Sequence, residues 1–293
     1  MKFFNKILIP TFMAVGCFVL SVTSISAQQS IDGNLDISLL MKEASVRLDM
    51  SNEDAVILFD SERIRLNKDS RYTKYNHRII WINAKDAFEH YGNIRVPYDP
   101  SRCSLHVETV RTWRDNKWSV TDLDAIEKEL PETLSNADDY VNIHEAILSH
   151  EKIEFPYILE ITYSIEDKEP FRRGWDGSWT FVRDEPVIKS WFGFELPIGW
   201  WPNIYEFPGA PAPFKSTDET LGLDMYSWER GPYQAKTFPP PENIEDNESF
   251  IIWSTWRDWS SLGAFIRSNF DSVAAVDTYL EEQLDSLLKG TFT

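Results

Sequence analysis

The stretch Tyr157-Ile158-Leu159-Glu160-Ile161-Thr162-Tyr163-Ser164-Ile165-Glu166 decides the fold class. Tyr157, Leu159, Ile161, Tyr163 and Ile165 fall on one side of an extended chain. Glu160, Thr162, Ser164 and Glu166 fall on the other. Successive side chains of a strand point to opposite faces, so this period of two marks a half-buried β-strand. Working toward the N-terminus, Ala55-Val56-Ile57-Leu58-Phe59 is a continuous apolar run, and Ile64 and Leu66 then alternate with Arg63 and Arg65. Asn67-Lys68-Asp69-Ser70 reads as a turn and Tyr72 to Ile82 as the returning strand of a hairpin. Leu105 to Trp113 and Trp118 to Val120, joined by Asp115-Asn116-Lys117, read as a second hairpin. Toward the C-terminus, Trp179–Val182, Val187–Leu196, Leu221–Trp228 and Phe250–Trp253 are further strands. Many short strands with turn residues between them predict a mainly β fold, an antiparallel β-sandwich.

The ends of the chain carry other patterns. Lys2 and Lys6 precede an apolar run from Ile7 to Val22, which closes on Ser24-Ile25-Ser26-Ala27. A charged start, a short apolar stretch and a small residue before the cut describe a signal peptide, so residues 1–27 are expected to be removed on secretion or export to a periplasm. Ala14-Val15-Gly16-Cys17 only loosely matches a lipoprotein box, so lipidation at Cys17 ranks below cleavage after Ala27. Residues 28–52 read as a linker or short helix, with Leu39, Leu40 and Ala44 as its apolar positions. Residues 53–255 read as the β-domain. From residue 256 the period changes. Trp259, Leu262, Phe265 and Ile266 share one helical face, and Val273, Val276, Leu280, Leu284 and Leu287 recur at three and four residues. The β-sandwich is therefore expected to be followed by two short C-terminal amphipathic helices over 256–293. Their apolar stripe, above all Val273, Val276, Leu280, Leu284 and Leu287, is a candidate docking helix.

Composition bounds the chemistry. The chain has 293 residues, a formal net charge of −18 and 42% hydrophobic residues. Loss of Lys2 and Lys6 with the leader moves the charge two units further negative. No Lys/Arg-rich run exists, so nucleic-acid binding is excluded. Beyond the leader no stretch is apolar and long enough to span a bilayer. Two cysteines, Cys17 and Cys103, cannot build a disulfide framework.

Several pieces in order resemble a known family. They are Asp54-Ala55-Val56-Ile57-Leu58-Phe59-Asp60, then Tyr91-Gly92-Asn93-Ile94-Arg95-Val96-Pro97-Tyr98-Asp99, then Trp179-Thr180-Phe181-Val182-Arg183-Asp184-Glu185-Pro186-Val187, then Tyr226-Ser227-Trp228-Glu229 and Ser254-Thr255-Trp256-Arg257-Asp258-Trp259. Together, over roughly residues 53–260, they are similar to the DUF3857 domain, the β-rich N-terminal module of secreted bacterial transglutaminase-like proteins. The resemblance implies a β-sandwich followed by a papain-type domain with a Cys–His–Asp triad. Residues 256–293 resemble the entry helices of that second domain, and this chain ends before the segment that would hold the nucleophile. No catalytic residue is carried over.

Direct searches for chemistry agree. Cys103 and His106 are neighbours in sequence, but at i and i+3 of a strand they point to opposite faces. His144-Glu145 begins like a zinc-protease motif, yet the next histidine is His150, six positions on, so the i, i+4 geometry is missing. No metal site and no cofactor is implied. The aromatics stand out. The chain has 12 Trp, and Trp200-Trp201-Pro202 lies in a Pro/Gly-rich loop. Trp200, Trp201 and Tyr205 are candidates for a platform that grips a partner or stacks on a sugar.

The function expected from these readings is a secreted, non-catalytic accessory or interaction module. Its expected partner is a transglutaminase-like core domain or another envelope protein. One alternative is the front half of a cysteine peptidase or acyltransferase whose catalytic core is missing or on another chain. The other is a carbohydrate-binding module that uses exposed Trp.

Overall fold

A computed structural model describes residues 35–123, 127–131, 142–150, 154–170, 174–207, 209–235 and 249–273. The residues from Ile37 onward form one compact unit. It opens with α1 (Ile37–Arg47), continues through β1 (Ala55–Leu66), β2 (Tyr72–Ile82), α2 (Lys85–Tyr91), β3 (Asn93–Tyr98), β4 (Cys103–Arg114), β5 (Lys117–Val120), β6 (Glu127–Glu129), β7 (His144–Ser149), β8 (Tyr157–Asp167), β9 (Asp176–Thr180), β10 (Ser190–Pro197), β11 (Asn203–Glu206), β12 (Phe214–Asp218), β13 (Leu223–Arg230) and β14 (Phe250–Ser254), and ends the described part with α3 (Trp259–Val273).

Eight strands form one sheet in the order β12-β13-β10-β1-β2-β8-β4-β5. Two three-stranded sheets, β11-β14-β9 and β3-β7-β6, complete the fold. The fold is mainly β, as the alternation predicts, and both expected hairpins form, β1 with β2 and β4 with β5. One pairing departs from the antiparallel rule: β1 and β10 run parallel, Asp60 opposite Ser190 and Arg65 opposite Glu195. A parallel partner needs a long crossover, here all the chain from β2 to β9, and no local turn signal announces it.

Strand register shows where the two small sheets lie. On β2 the even-numbered residues share a face. Ile80 and Ile82 join Val96 of β3, Ala146 and Leu148 of β7, and Leu159 and Ile161 of β8 in one apolar core. Tyr72, on the same face, packs against a second core with Ile64, Phe192, Phe194, Trp228, Trp179, Ile251 and Trp253. Both three-stranded sheets therefore cover the same face of the large sheet, toward opposite ends. The second core is mostly aromatic, with Trp179 stacked on Phe192 and Trp253 tilted against Phe194.

Between the two cores sits a charged seam. Asp60 of β1 is 2% exposed. Its Oδ1 accepts from Nε of Arg78 at 3.0 Å, and its Oδ2 accepts from Nε of Arg183 at 2.9 Å and from the Arg183 NH2 group at 2.9 Å. Arg183 also donates to the carbonyl of Thr180 and lies over the Trp179 ring, 4.6 Å from its centroid. Trp179 Nε1 in turn donates to Ser190, the residue opposite Asp60 on β10. Nearby, burial and a hydrogen bond with Glu185 push the Tyr91 hydroxyl pKa upward. One carboxylate thus ties β1, β2 and the connection after β9 together at the junction of the cores.

α1 lies against β1 and buries Ile37, Leu40 and Ala44. Around His77 and Glu195 the reverse face of the large sheet is polar but internally paired. Glu160 accepts from His77 Nε2 at 3.0 Å and from Arg111 Nε at 2.6 Å. Burial would raise the Glu160 pKa, but these two bonds outweigh it and hold the carboxyl below its usual range. Glu195 takes Arg65 and Arg63 in the same way.

Sequence reading missed the strands β3, β6, β7, β11 and β12. Each has three to six residues, too few to establish a period. The aromatic-rich segment 190–197 begins as a strand at Ser190; the expected start, Val187, instead makes single bridges to Ile57 and Tyr233. At the C-terminus α3 runs through Asp271 without a break. Val276, Leu280, Leu284 and Leu287 of the expected docking helix lie outside the described residues, as does the side chain of Val273.

Two outcomes are expected. Asp60→Ala leaves Arg78 and Arg183 without their buried counter-charge, a change that costs about 3–5 kcal/mol and lowers the melting temperature by on the order of 10 °C. A midpoint within 2 °C of wild type, to within about that margin, would show that the seam is dispensable. The second concerns His150, which is 6% exposed and bonded through Nε2 to the Tyr157 hydroxyl at 2.7 Å. Burial pushes its pKa down to about 4. The unfolded imidazole takes a proton below about 6.5, while the folded one stays neutral until about 4. Stability from this group is therefore intact above that window, falls through it, and levels off below it, for a total of about 3 kcal/mol. Urea midpoints of His150→Phe should fall less steeply over this range than those of wild type; parallel curves would contradict the assignment.

Candidate functional site: an uncovered aromatic face at the exit of the domain

The β11-β14-β9 sheet places alternate residues inward and outward. Ile204 pairs with Trp253, and Glu206 with Ile251, on the inner side. Tyr205 pairs with Ile252 on the outer side. The outer row faces solvent, with Tyr205 60% and Ile252 43% exposed. Phe207 stacks on Phe250 with ring centroids 3.6 Å apart and meets Tyr205 edge to face at 4.8 Å. Just before β11, Trp201 is 82% exposed. Of the three platform residues expected from sequence, Trp201 and Tyr205 stand in solvent, whereas Trp200 is half-buried against the aromatic core.

β14 leads directly into α3, and the junction is tightly held. Thr255 N donates to the carbonyl of Trp175, and Trp175 N donates to the Thr255 hydroxyl. Asn203 Nδ2 donates to the carbonyl of Trp256 at 2.7 Å. The Trp256 indole lies on the backbone of Gly174, where a Cβ would come within 2.5 Å of the ring, so only glycine allows this approach. Phe265 of α3 packs on the other side of the junction, 5.2 Å from the Trp256 ring. Asp258 caps the helix: its Oδ1 accepts from Ser261 N at 2.7 Å, and its own N–H donates to the Ser261 hydroxyl. The hydrogen bonds from the Ser261 hydroxyl and backbone hold the Asp258 carboxyl below its ordinary range. A shallow cleft of about 420 Å³ lies here, lined by Thr255, Trp256, Arg257, Ser261, Ala264 and Phe265.

The helix so anchored presents an uncovered apolar stripe. Trp259 is 86%, Phe270 70% and Ile266 45% exposed. At 100° per residue these three lie within about 40° of one another. Large apolar side chains grouped along one exposed helix face mark an interaction site. Sequence reading put Trp259, Phe265 and Ile266 on one face; the structure separates them, turning Phe265 to Trp256 and Trp259 and Ile266 to solvent. It did not single out Phe207, Phe250 or Ile252. A signal was present, because Phe250-Ile251-Ile252-Trp253 is apolar at every position, and a strand with one face in water should alternate.

The other residues weighed from sequence are not assembled into a site. Cys103 is buried in the first core, and its sulfur lies 3.9 Å from Asp167 Oδ1, whereas His106 is on the reverse face and exposed. His144 contacts the Tyr98 ring, and His150 is taken up by Tyr157. Among the described residues no group of three or more His, Cys, Asp or Glu is placed to hold a metal ion. No described helix is long and apolar enough to cross a membrane.

The model of the family described as a domain of unknown function with a solved structure, DUF3857, matches residues 68–237, more than half of the chain. The chain belongs to the DUF3857 family. The matched span holds the large sheet from β2 onward, while β14 and α3 lie beyond it. This DUF3857 chain is similar to the crystal structure of a candidate protease from Parabacteroides distasonis ATCC 8503, with a TM-score of 0.67 and 17% identity over 73% of this chain and 43% of that one. At that identity the likeness is one of fold. The chain spans less than half the length of that protein. Yeast LTA4 hydrolase aligns with a TM-score of 0.32 and 9% identity over 68% of this chain and 29% of that one, too low to bear on function. No curated protein matches the chain.

The exposed and buried aromatics of this DUF3857 domain should separate in stability. Tyr205→Ser and Trp259→Ser should each change the unfolding free energy by less than about 0.5 kcal/mol, as surface substitutions do. Trp253→Ala, in the aromatic core, should cost about 3–5 kcal/mol. Denaturant unfolding of the three variants checks this; a large loss at Trp259 would mean that the stripe is already covered within the chain.

Proposed function

We propose that this DUF3857 chain is a secreted, non-catalytic module that holds a transglutaminase-like core domain on its outer aromatic face and α3. One observation carries the reading. A helix whose base is fixed by Trp256, Asn203 and Asp258 points Trp259, Ile266 and Phe270 into water, and the sheet that leads into it leaves Tyr205 and Ile252 exposed. Exposing such side chains is unfavourable by roughly 25 cal/mol per Å² of apolar surface. A rigid domain that carries them in a group is suited to burying them against a partner. The resemblance of residues 53–260 to the front module of transglutaminase-like proteins supports the choice of partner, and the leader-like residues 1–27 support a site of action outside the cytoplasm. The acidic surface keeps the module soluble.

Gel filtration with light scattering tests the proposal. The chain is mixed with a purified transglutaminase-like core domain from a protein that carries a DUF3857 domain. A one-to-one complex is expected, and Tyr205→Ser/Ile252→Ser should weaken it at least tenfold, since each buried apolar side chain of this size contributes about 1.5–3 kcal/mol. No complex at concentrations up to 100 μM, or on the order of −5 kcal/mol of binding free energy, would overturn it. The exposure of Trp201 and Tyr205 also favours a sugar-stacking reading. That reading requires tryptophan fluorescence to change on addition of neutral oligosaccharides and to stop changing in Trp201→Ala.

A further inference from the structure

The reverse face of the large sheet carries an aromatic feature of its own. On β10, Trp191 is opposite Ser61 and Gly193 is opposite Arg63 of β1. Arg63 is opposite Tyr75 of β2. Tyr75 shares the odd-numbered face of β2 with His77, so Trp191, Gly193, Arg63 and Tyr75 all lie on the side that neither small sheet covers. Same-face neighbours on a strand are about 6.7 Å apart, and the Trp191 ring reaches across that distance. A Cβ built at Gly193 would come within 2.2 Å of the ring, so the indole lies down along the strand and only glycine leaves it room. Trp191 is half-buried. Its Nε1 has no hydrogen-bond partner among the described residues and is not a buried atom, so it faces water. Trp179 and Trp228, by contrast, bond theirs inside, to Ser190 and Glu206. An indole N–H that packing alone places finds a partner within the fold; this one stays open.

Beside the indole, the Arg63 guanidinium lies over the Tyr75 ring, 4.3 Å from its centroid. The Tyr75 hydroxyl is likewise without a described partner and is not a buried atom. Adjacent strands are about 4.8 Å apart, so the Trp191 ring at Gly193, Arg63 and Tyr75 make a row of planar groups about 10 Å long across β10, β1 and β2. Charge in the row is balanced. Glu195 takes both Arg63 and Arg65, and Asp218 adds a second negative charge near Arg65. Planar groups, open N–H and O–H donors and balanced charge together suit a flat, uncharged ligand rich in hydroxyls. A pyranose with equatorial hydroxyls has this form, with C–H groups on its faces to lie on an aromatic ring and hydroxyls around its rim. A β-1,4 linkage keeps successive rings in an extended ribbon that a sheet face can hold, whereas an α-1,4 chain coils away from it.

We propose that this face binds neutral β-1,4-linked oligosaccharides, with one sugar ring stacked on Trp191 and the next over Arg63 and Tyr75. The site is separate from the Tyr205 and α3 surface, and it stands whether or not the docking reading does. It is also separate from the loop that carries Trp201.

Calorimetric titration of the full chain with cellohexaose, chitohexaose and maltohexaose tests the site, with thermal unfolding of each variant as the control for folding. At least one of the first two should bind with a Kd of about 1 mM or tighter, and maltohexaose at least about tenfold more weakly. Trp191→Leu keeps an apolar cover over Gly193 and should weaken binding at least about tenfold. Tyr75→Phe removes a single hydroxyl and should weaken it about threefold, a readout that remains if Trp191→Leu fails to fold. Trp201→Ala should bind as wild type does. Failure of wild type to bind either β-linked sugar, equal binding of maltohexaose, or wild-type affinity in a folded Trp191→Leu would overturn the proposal. So would loss of binding in Trp201→Ala, which would move the sugar to the loop.

Discussion

The carboxylate of Asp60 sits where the two apolar cores of the domain meet, with Arg78 on one oxygen and Arg183 on the other. A charge taken this far out of water is tolerable only when it is paired and hydrogen-bonded. The pairing is made by three separate parts of the chain. β1 supplies the acid, β2 one arginine, and the connection after β9 the other. The small aromatic-packed sheet can keep its place on the large sheet because Arg183, Trp179 and Ser190 complete the same network. Everything that follows in sequence inherits this placement. β9 holds β14, β14 holds β11, and the end of β14 launches α3.

The surface built on that foundation is unusual for its position. The aromatic core spends Trp175, Trp179, Trp228 and Trp253 inside, each less than 10% exposed. The outer row of the same sheet carries another set of large apolar side chains with no described cover. The polar reverse face of the large sheet contrasts with it, since its acids are already matched by His77, Arg111, Arg63 and Arg65. A face whose charges satisfy one another offers little to a charged partner, whereas an apolar row in water gains from any partner that covers it. That contrast is why the proposed docking surface is at the exit of the domain and not on its sheet face.

Much of the fold was legible because hydrophobic alternation is a local property. The strand at Tyr157 and the hairpin that turns at Asn67–Ser70 announce themselves in ten residues. What was hidden is non-local. The parallel pairing of β1 with β10 joins residues 130 positions apart, and the Asp60 seam joins residues 18 and 123 positions apart. No period marks such contacts. The candidate site was half legible. Trp201 and Tyr205 stood out as aromatics in a Pro/Gly-rich loop, but Ile252 looked like an interior residue because apolar runs read as buried on both sides. Trp200, adjacent to Trp201, turned inward against the aromatic core, since neighbours in extended chain face opposite ways.

Membership of the DUF3857 family places this chain in a fold, and the proposed role rests on one face of it. The claim that most needs testing is that the face at β11, β14 and α3 is where a partner is held. Hydrogen–deuterium exchange of the chain, alone and with a transglutaminase-like core domain, addresses it most directly. The account predicts new protection confined to residues 203–207, 250–254 and 259–273, with the amides around Asp60 slow in both states. Protection that appears instead on the reverse face of the large sheet, around His77 and Arg111, would contradict it.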